Sequence, residues 1–200
     1  MTYSTEIQIL DKIKKARRGT LFFTDSFTAK GNTDAERKAL ERLVKAGELV
    51  RVATGIYVRP ENDPVIGFVT PGIDAIAKAI AKRDKARIVP TGVYALNRLG
   101  LSTQVPLNVV YLTDGAKRKI KIGKRIITFK NTTPKNVAAI GEISRLVIQA
   151  LRTIGKDKAT PDEIKKIQQV LKKEKSTHLQ HDIRLAPVWV RKIMQPVLKP

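Results

Sequence analysis

Residues 20–60 read TLFFTDSFTAKGNTDAERKALERLVKAGELVRVATGIYVRP, and this stretch decides the fold predicted for the chain. Thr33 can cap a helix, and Glu36 three positions later completes a capping box, so a helix is predicted to begin there. It is expected to run to about Ala46 and to end at Gly47, which suits a left-handed C-cap. Its apolar residues fall on one face: Ala39, Leu40, Leu43 and Val44.

The opposite face of this helix is charged, and a hairpin is predicted after it. The charged face consists of Asp34, Lys38, Glu41 and Lys45, flanked by Arg37 and Arg42. Residues 49–52 and 56–59 alternate as strands do, with a turn at Thr54-Gly55 between them. With a first helix predicted over residues 4–16, this is the order of a winged helix-turn-helix. Such a unit lays its second helix in the DNA major groove and its wing along the backbone.

The candidate DNA contacts follow from that geometry. A guanidinium on the second helix can bond a guanine edge, and the start of the helix offers backbone N–H groups to a phosphate. The wing would contact the backbone or the minor groove. The candidates are Asn32, Thr33, Arg37, Lys38, Arg42, Lys45, Arg51, Thr54 and Arg59. The alternative is a solvated face with an Arg37–Glu41 ion pair, where Asp34 and Glu41 weaken the attraction to DNA.

The composition also favours a polyanionic partner. The chain has 200 residues, with 39 Lys and Arg against 18 Asp and Glu, for a formal charge of +21. This excess points to nucleic acid or another anionic surface. The chain has no cysteine, which excludes disulfides and thiolate zinc sites and suits a reducing cytoplasm. No apolar run approaches the roughly 18–20 residues that span a bilayer. We therefore expect a cytoplasmic, nucleoid-associated protein without membrane contact.

The rest of the chain is predicted to form a second domain, so the fold class is α+β. We divide the chain into a winged helix-turn-helix over residues 1–60, a linker over 61–71, and an α+β domain over 72–200; residues 60–71 hold three prolines. The second domain is expected to combine helices with a small antiparallel sheet and to end in a helical third. Helices are predicted over 72–83, 92–100, 137–154, from 161 onward and around Trp189, and strands over 107–113, 118–122 and 125–130.

Thr91 and Thr160 are the predicted caps of two of these helices, the second in a capping box with Glu163. In the middle strand, Lys119 and Lys121 alternate with isoleucines, which gives one basic face. That face either keeps a strand edge soluble or contacts phosphates.

A catalytic or metal site is not predicted. The two histidines, His178 and His181, stand three residues apart with Asp182 beside them, a spacing that could place two ligands on one helical face. No third ligand is evident, so an exposed polar turn is the preferred interpretation. We expect no enzyme activity, no metal and no cofactor.

Two blocks of sequence carry a resemblance to a known family. The first is Leu40–Gly47 with Arg51 and Gly55-Ile56-Tyr57, and the second is PTGVYALNRLGLSTQVP at residues 90–106, followed by VYLTDG at 110–115. Over roughly residues 5–135 the chain resembles the AbiEi-type antitoxins of type IV toxin–antitoxin systems, which are named from abortive phage infection. The resemblance implies a winged helix that binds inverted-repeat operator DNA and represses its own operon. It also implies a C-terminal domain that counteracts a nucleotidyltransferase-like toxin without a stable complex.

The surface that would meet a toxin or its substrate is predicted from polar residues of the second block and the basic strand. The candidates are Tyr94, Asn97, Ser102, Thr103, Gln104, Tyr111, Lys119 and Lys121. The polar segment could instead be a connection whose side chains satisfy their own backbone. The basic strand could meet the same DNA, or the nucleotide or tRNA substrate of the toxin.

Two further functions remain open. The chain could be a general winged-helix transcriptional regulator whose second domain senses a ligand or forms oligomers. It could also be an RNA-binding or enzymatic protein with an accessory winged helix.

Overall fold

The computed structural model describes residues 5–27 and 33–198, with the side chain of Thr33 excepted, and within them the fold is mixed α+β, as predicted. The helices are α1 Thr5–Lys15, α2 Thr33–Lys45, α3 Ile73–Arg83, α4 Val93–Arg98, α5 Glu142–Ile154, α6 Pro161–Leu171, α7 Ser176–Leu185 and α8 Val188–Met194. The strands are β1 Leu21–Phe23, β2 Val50–Ala53, β3 Ile56–Val58, β4 Asn62–Asp63, β5 Gly67–Phe68, β6 Ile88–Thr91, β7 Asn108–Thr113, β8 Arg118–Ile122 and β9 Arg125–Asn131. Backbone contacts divide the chain into two compact units. The first unit runs to Ala79 and includes Ile120–Gly123, and the second comprises Ile80–Lys119 and the residues from Lys124 onward.

The first unit packs α1 and α2 against a three-stranded antiparallel sheet. The strand order is β1-β3-β2, so the last strand of the hairpin lies between the other two. The periodic apolar residues of both helices meet the aromatic residues of β1 and β3 in one core. Its buried members are Ile9, Ile13, Phe22, Phe27, Ala39, Leu40, Leu43, Leu49 and Tyr57. Burial of these side chains fixes which side of α2 faces outward.

The segment predicted as a linker over residues 61–71 contains a small hairpin of β4 and β5. The Asp63 carboxylate accepts hydrogen bonds from the backbone N–H groups of Val65 and Ile66, at 2.8 and 3.1 Å. These two hydrogen bonds lower the pKa of Asp63. The segment is therefore a defined turn, because an aspartate side chain satisfies the backbone of the residues that follow it.

The four-stranded sheet differs from the sequence prediction in its topology. Its strand order is β6-β7-β9-β8, and β7 pairs with β9 in parallel, with Tyr111 opposite Phe129. The prediction of a wholly antiparallel sheet is thus wrong for this pair. Strand β6 was not predicted, because Pro90 interrupts its pattern. Proline is tolerated there because β6 is an edge strand with a neighbour on one side only.

The helical third is confirmed in content and corrected in its bounds. Helix α5 begins at Glu142 and not at residue 137, because residues 134–137 form a 3-10 turn. The capping box of α6 is confirmed: the Glu163 N–H donates to Thr160, whose own N–H donates to the Glu163 carboxylate. Helix α4 is capped by Gly92, so the cap predicted at Thr91 is wrong. Helix α7 was not predicted at all.

Candidate nucleic-acid interface

The outward side of α2 is cationic, as its sequence pattern predicts. Ala39, Leu40 and Leu43 are at most 2% exposed. The basic residues of the helix are all exposed: Arg37, Lys38, Arg42 and Lys45. The predicted contacts through Asn32 and the Thr33 side chain lie outside the described residues. The start of α2 therefore adds nothing to the description of this surface, and its middle and end define it.

Two of the four cations on α2 already have carboxylate neighbours. The Arg42 Nε lies 2.6 Å from Glu6 Oε2 on α1, and Arg37 Nη2 lies 3.5 Å from Asp34 Oδ1. The second pair replaces the Arg37–Glu41 pair suggested by the sequence. Lys38 and Lys45 enter none of the ion pairs found among the described residues. All four side chains are nevertheless available for binding, because exposed ion pairs of this kind contribute little free energy and can be exchanged for a contact with another anion.

The β2–β3 hairpin presents two of its three candidate residues to solvent. Arg51 and Thr54 are exposed, and Gly55 turns the chain at a φ of 70°. A register shift between Arg51 and Ala53 marks a bulge in β2. The hairpin can therefore carry a cation and a hydroxyl to a phosphate backbone.

Arg59, the third candidate on the hairpin, is placed differently from Arg51 and Thr54. Its guanidinium is half-buried, and Nη1 donates to the carbonyl oxygens of Lys14, at 2.9 Å, and of Ala16. These are carbonyls at the C-terminal end of α1, where a cation is favoured by the helix dipole. Arg59 thus ties the end of β3 to α1, which gives it a structural role, and its contact with DNA stays a prediction.

Tyr111 is a correction to the predicted set, because it is a core residue and not a partner-binding one. Its side chain is 2% exposed, with its ring 5.9 Å from that of Phe129 and 6.2 Å from that of Tyr94. Burial raises the pKa of Tyr111 far above its usual range. Tyr94 is half-buried, and burial raises its pKa as well.

The polar segment after α4 mostly satisfies its own backbone. Asn97 Nδ2 donates to the Ser102 carbonyl at 3.1 Å, and Ser102 Oγ accepts from the Gln104 N–H at 3.1 Å. These bonds favour the interpretation of a helix-to-strand connection for Asn97 and Ser102. The side chains of Thr103 and Gln104 are exposed, as are Lys119 and Lys121 on β8. A partner-binding role for these four residues stays a prediction.

The two histidines lie on α7 beside carboxylates that bind the start of α5. Asp182 is fully buried and accepts hydrogen bonds from the N–H groups of Ile140 and Gly141, at 2.9 and 2.8 Å, and from the Ser144 hydroxyl. Glu174 accepts from the N–H groups of Ile143 and Ser144. Five donors at or near one helix N-terminus are thus bound by two carboxylates.

His181 Nδ1 lies 2.7 Å from Asp182, and His178 Nδ1 lies 3.6 Å from Glu174. The polar turn predicted for the histidines is therefore wrong, since they belong to a helix. In the part of the chain that the structure describes, no group of three or more His, Cys, Asp or Glu side chains is placed to hold a metal ion.

The family comparison covers most of the chain. The chain belongs to DUF6088, a family of unknown function, whose model matches residues 8–179. A comparison with curated proteins finds no match. Among the described helices, none combines the length and the apolar composition needed to cross a bilayer.

Proposed function

We propose that this DUF6088 member is a DNA-binding antitoxin of a type IV toxin–antitoxin system. In this proposal the first unit is a winged helix-turn-helix that binds inverted repeats in its own promoter and represses the operon. The second unit counteracts a nucleotidyltransferase-like toxin, without forming a stable complex with it. The chain itself catalyses no reaction, and it works in the bacterial cytoplasm on the nucleoid.

The winged-helix proposal is supported by the order of elements in the first unit. Helix α1, strand β1, helix α2 and the β2–β3 hairpin follow one another, and β1 joins the hairpin in the order β1-β3-β2. This sheet closes one side of the core, so α2 lies on the other side with its polar face outward. A helix held in this way can enter a major groove of about 12 Å width.

The single observation that carries the DNA-binding proposal is the cationic outward side of α2. Lys38, Arg42 and Lys45 are exposed on a helix whose apolar residues are fixed in the core. A guanidinium can discriminate guanine through O6 and N7, and a lysine adds phosphate attraction. Arg51 on the hairpin supplies a further cation for the backbone.

The antitoxin half of the proposal is supported by the sequence resemblance in residues 90–115. This block contains the end of β6 together with α4 and β7, which form a continuous part of the second unit. Of the predicted partner-binding residues, Thr103, Gln104 and Lys119 are the exposed members that lie in that unit. In this proposal these three residues contact the toxin, or its nucleotide or tRNA substrate.

The DNA-binding proposal is tested by a gel shift with the full chain and its own promoter at ~0.15 M salt, where specific binding survives and nonspecific binding weakens steeply. Replacing Arg42 with alanine should weaken binding by ~1–3 kcal/mol if the guanidinium reads a base. Lys38→Ala should weaken binding and lower the salt dependence by about one counterion. Lys165→Ala, an exposed lysine on α6, is the control with the same charge change. Equal affinities for all four proteins would refute the proposed interface.

The antitoxin proposal is tested by co-expression with the adjacent gene. The full chain should restore growth when a nucleotidyltransferase-like neighbour is expressed. The Lys38→Ala, Arg42→Ala double variant should retain rescue while losing repression, because the two activities are assigned to different units. Specific promoter binding without rescue would instead identify a general winged-helix regulator.

A further inference from the structure

Most of the excess positive charge lies in the second unit and not in the proposed DNA-binding unit. The second unit holds 25 Lys and Arg against eight Asp and Glu, whereas the first holds 14 against ten. Several of those eight acids are already engaged within the unit. Asp84 and Asp114 pair with arginines, while Glu163, Glu174 and Asp182 bind helix N-termini. The cations of this unit therefore lack carboxylates to balance them.

One group of these cations lines a narrow cleft beside α5. The cleft is bounded by the 3-10 turn at residues 134–137, by one side of α5 and by Leu185 of α7. The polar residues that line it are Lys135, Asn136, Arg145, Gln149 and Arg152, and we call this set the arginine cleft. Of the residues that line it, none is acidic. Arg145 and Arg152 are seven positions apart, or two helical turns, so both side chains leave the same side of α5.

The two arginines are held in place with little negative charge beside them. Arg152 is half-buried, and its Nη1 donates to the amide oxygen of Asn136 at 2.9 Å. Burial without a carboxylate lowers the pKa of Arg152. The Arg145 side chain is 26% exposed, and its Nη2 lies 3.4 Å from Glu142, at the limit of a hydrogen bond.

The Nε of Arg145 adds an unused donor to this group. It is buried and has no acceptor among the described residues. Partly burying cations with incomplete pairing costs free energy, and a bound anion would recover that cost.

We propose that the arginine cleft binds a single phosphate group. Guanidinium groups match the oxygens of a phosphate through parallel hydrogen bonds, and Lys135 adds a third cation at the mouth. The internal volume is about 10 Å³, roughly the room for one water molecule, whereas sites for whole small molecules enclose ~300 Å³ or more. One oxygen of a phosphate can enter the cleft, but a sugar or base cannot, so the rest of any ligand stays outside.

A nucleic-acid backbone and a free phosphate ion share this chemistry. The surrounding unit has a net charge of +17, which favours a polyanion that passes over the cleft and inserts one phosphodiester. The site belongs to the second unit and does not depend on the role of α2. Failure of either proposal therefore leaves the other standing.

The test uses the full chain and inorganic phosphate as the probe. Titration at low ionic strength, against chloride at matched ionic strength, measures binding and the rise in Tm. The Arg145→Gln and Arg152→Gln variants should each weaken phosphate binding roughly tenfold, because each removes a charge-assisted hydrogen bond. Lys165→Gln on α6 is the matched control and should bind phosphate as the native chain does. Equal phosphate affinity in all four proteins would overturn the proposal and leave an adventitious ion only.

Two further variants cover the case in which an arginine substitution disturbs folding. Lys135→Gln changes an exposed side chain at the mouth and should weaken binding severalfold. Arg152→Lys keeps the charge but loses the paired donors, so its affinity should fall between those of the native chain and Arg152→Gln. Native-like phosphate binding by both would count against the site.

The source of the phosphate is decided by repeating the comparison with nucleic acids. A 12-nucleotide RNA and the promoter duplex are each titrated into the Lys38→Ala, Arg42→Ala background, so that α2 contributes little. Loss of nucleic-acid affinity on adding Arg152→Gln would identify a backbone phosphate as the natural ligand. Loss of inorganic phosphate binding alone would identify the free ion.

Discussion

The two units of this protein use their carboxylates in opposite ways. In the first unit, Glu6 and Asp34 lie near exposed arginines of α2 and reduce the positive charge of its outward side. In the second unit, Asp182 and Glu174 accept hydrogen bonds at the start of α5, and Asp182 is fully buried. The comparison shows that exposed carboxylates mainly change the charge of a surface, whereas buried carboxylates contribute to the stability of the fold. Substitution of a carboxylate should therefore have different consequences in the two units.

The largest effect is expected for Asp182→Asn. The carboxylate accepts hydrogen bonds from three donors, and an amide would place its own NH₂ group against at least one of them. This loss should lower the free energy of unfolding by about 3 kcal/mol. Asp34→Asn, on the exposed face of α2, should change it by less than about 0.5 kcal/mol. Urea denaturation monitored by circular dichroism measures both. Similar urea midpoints for the two variants would show that the carboxylates of the two units do not differ in their contribution to stability.

Gly141→Ala should also destabilise the start of α5, in this case by crowding the groups that bind it. An added Cβ would lie 2.4 Å from Ser144 Oγ and 2.5 Å from Glu174 Oε2, so the groups that bind the start of α5 would have to move. We expect a loss of ~1–3 kcal/mol, typical of overpacking. Gly72→Ala is the matched control in the first unit, because nothing lies within 4 Å of its added Cβ. A neutral Gly141→Ala in thermal unfolding would show that the α5 start is loosely held.

Arg59→Ala against Arg51→Ala separates folding from binding within the first unit. Loss of the Arg59 bonds to α1 should cost about 1–2 kcal/mol of stability, whereas Arg51→Ala should leave stability unchanged. Promoter affinity should respond in the opposite order, since Arg51 is the exposed cation. Denaturation and gel shift on the same two variants check this. A stable Arg59→Ala variant with reduced DNA binding would assign Arg59 to the interface and not to the fold.

The smallest effect is expected for Glu6→Gln. The change releases Arg42 from an exposed ion pair of 2.6 Å and removes a negative charge near the proposed DNA path. Exposed pairs contribute about 0–1 kcal/mol, so promoter affinity should rise by no more than a few fold. When Arg42 is already alanine, Glu6→Gln should give no gain, so the double variant should bind the promoter as Arg42→Ala alone does. Should the gain persist in the double variant, it would come from long-range charge and not from release of the guanidinium.

The sequence predicted the parts of the fold that depend on near neighbours. Helix α2 follows its own apolar period, and the start of α6 follows from Thr160 and Glu163, which bond to each other. The α2 side of the candidate interface was predictable for the same reason, since burying one face exposes the other. The β2–β3 hairpin likewise follows from alternation and from Gly55, although each strand differs from its predicted bounds by one residue at one or both ends.

The errors and omissions arose where a residue's role depends on a distant partner. Tyr111 looks like a polar candidate until β9 brings Phe129 beside it. The structural role of Arg59 is not evident until α1 ends within its reach. Helix α7 has a short apolar stripe, and its Asp182 binds backbone groups about 40 residues earlier in the chain. No local period records such a contact.

The amino-acid order by itself determined the α+β class, the excess of positive charge and the outward cations of α2, because these depend on composition and on spacings of three or four residues. Only the tertiary structure decided that β7 and β9 run in parallel and that two carboxylates hold the start of α5. It also decided that Arg145 and Arg152 share a cleft with Lys135. Each of these features joins segments far apart in the chain, and the free energy of such contacts exists only after folding has brought them together.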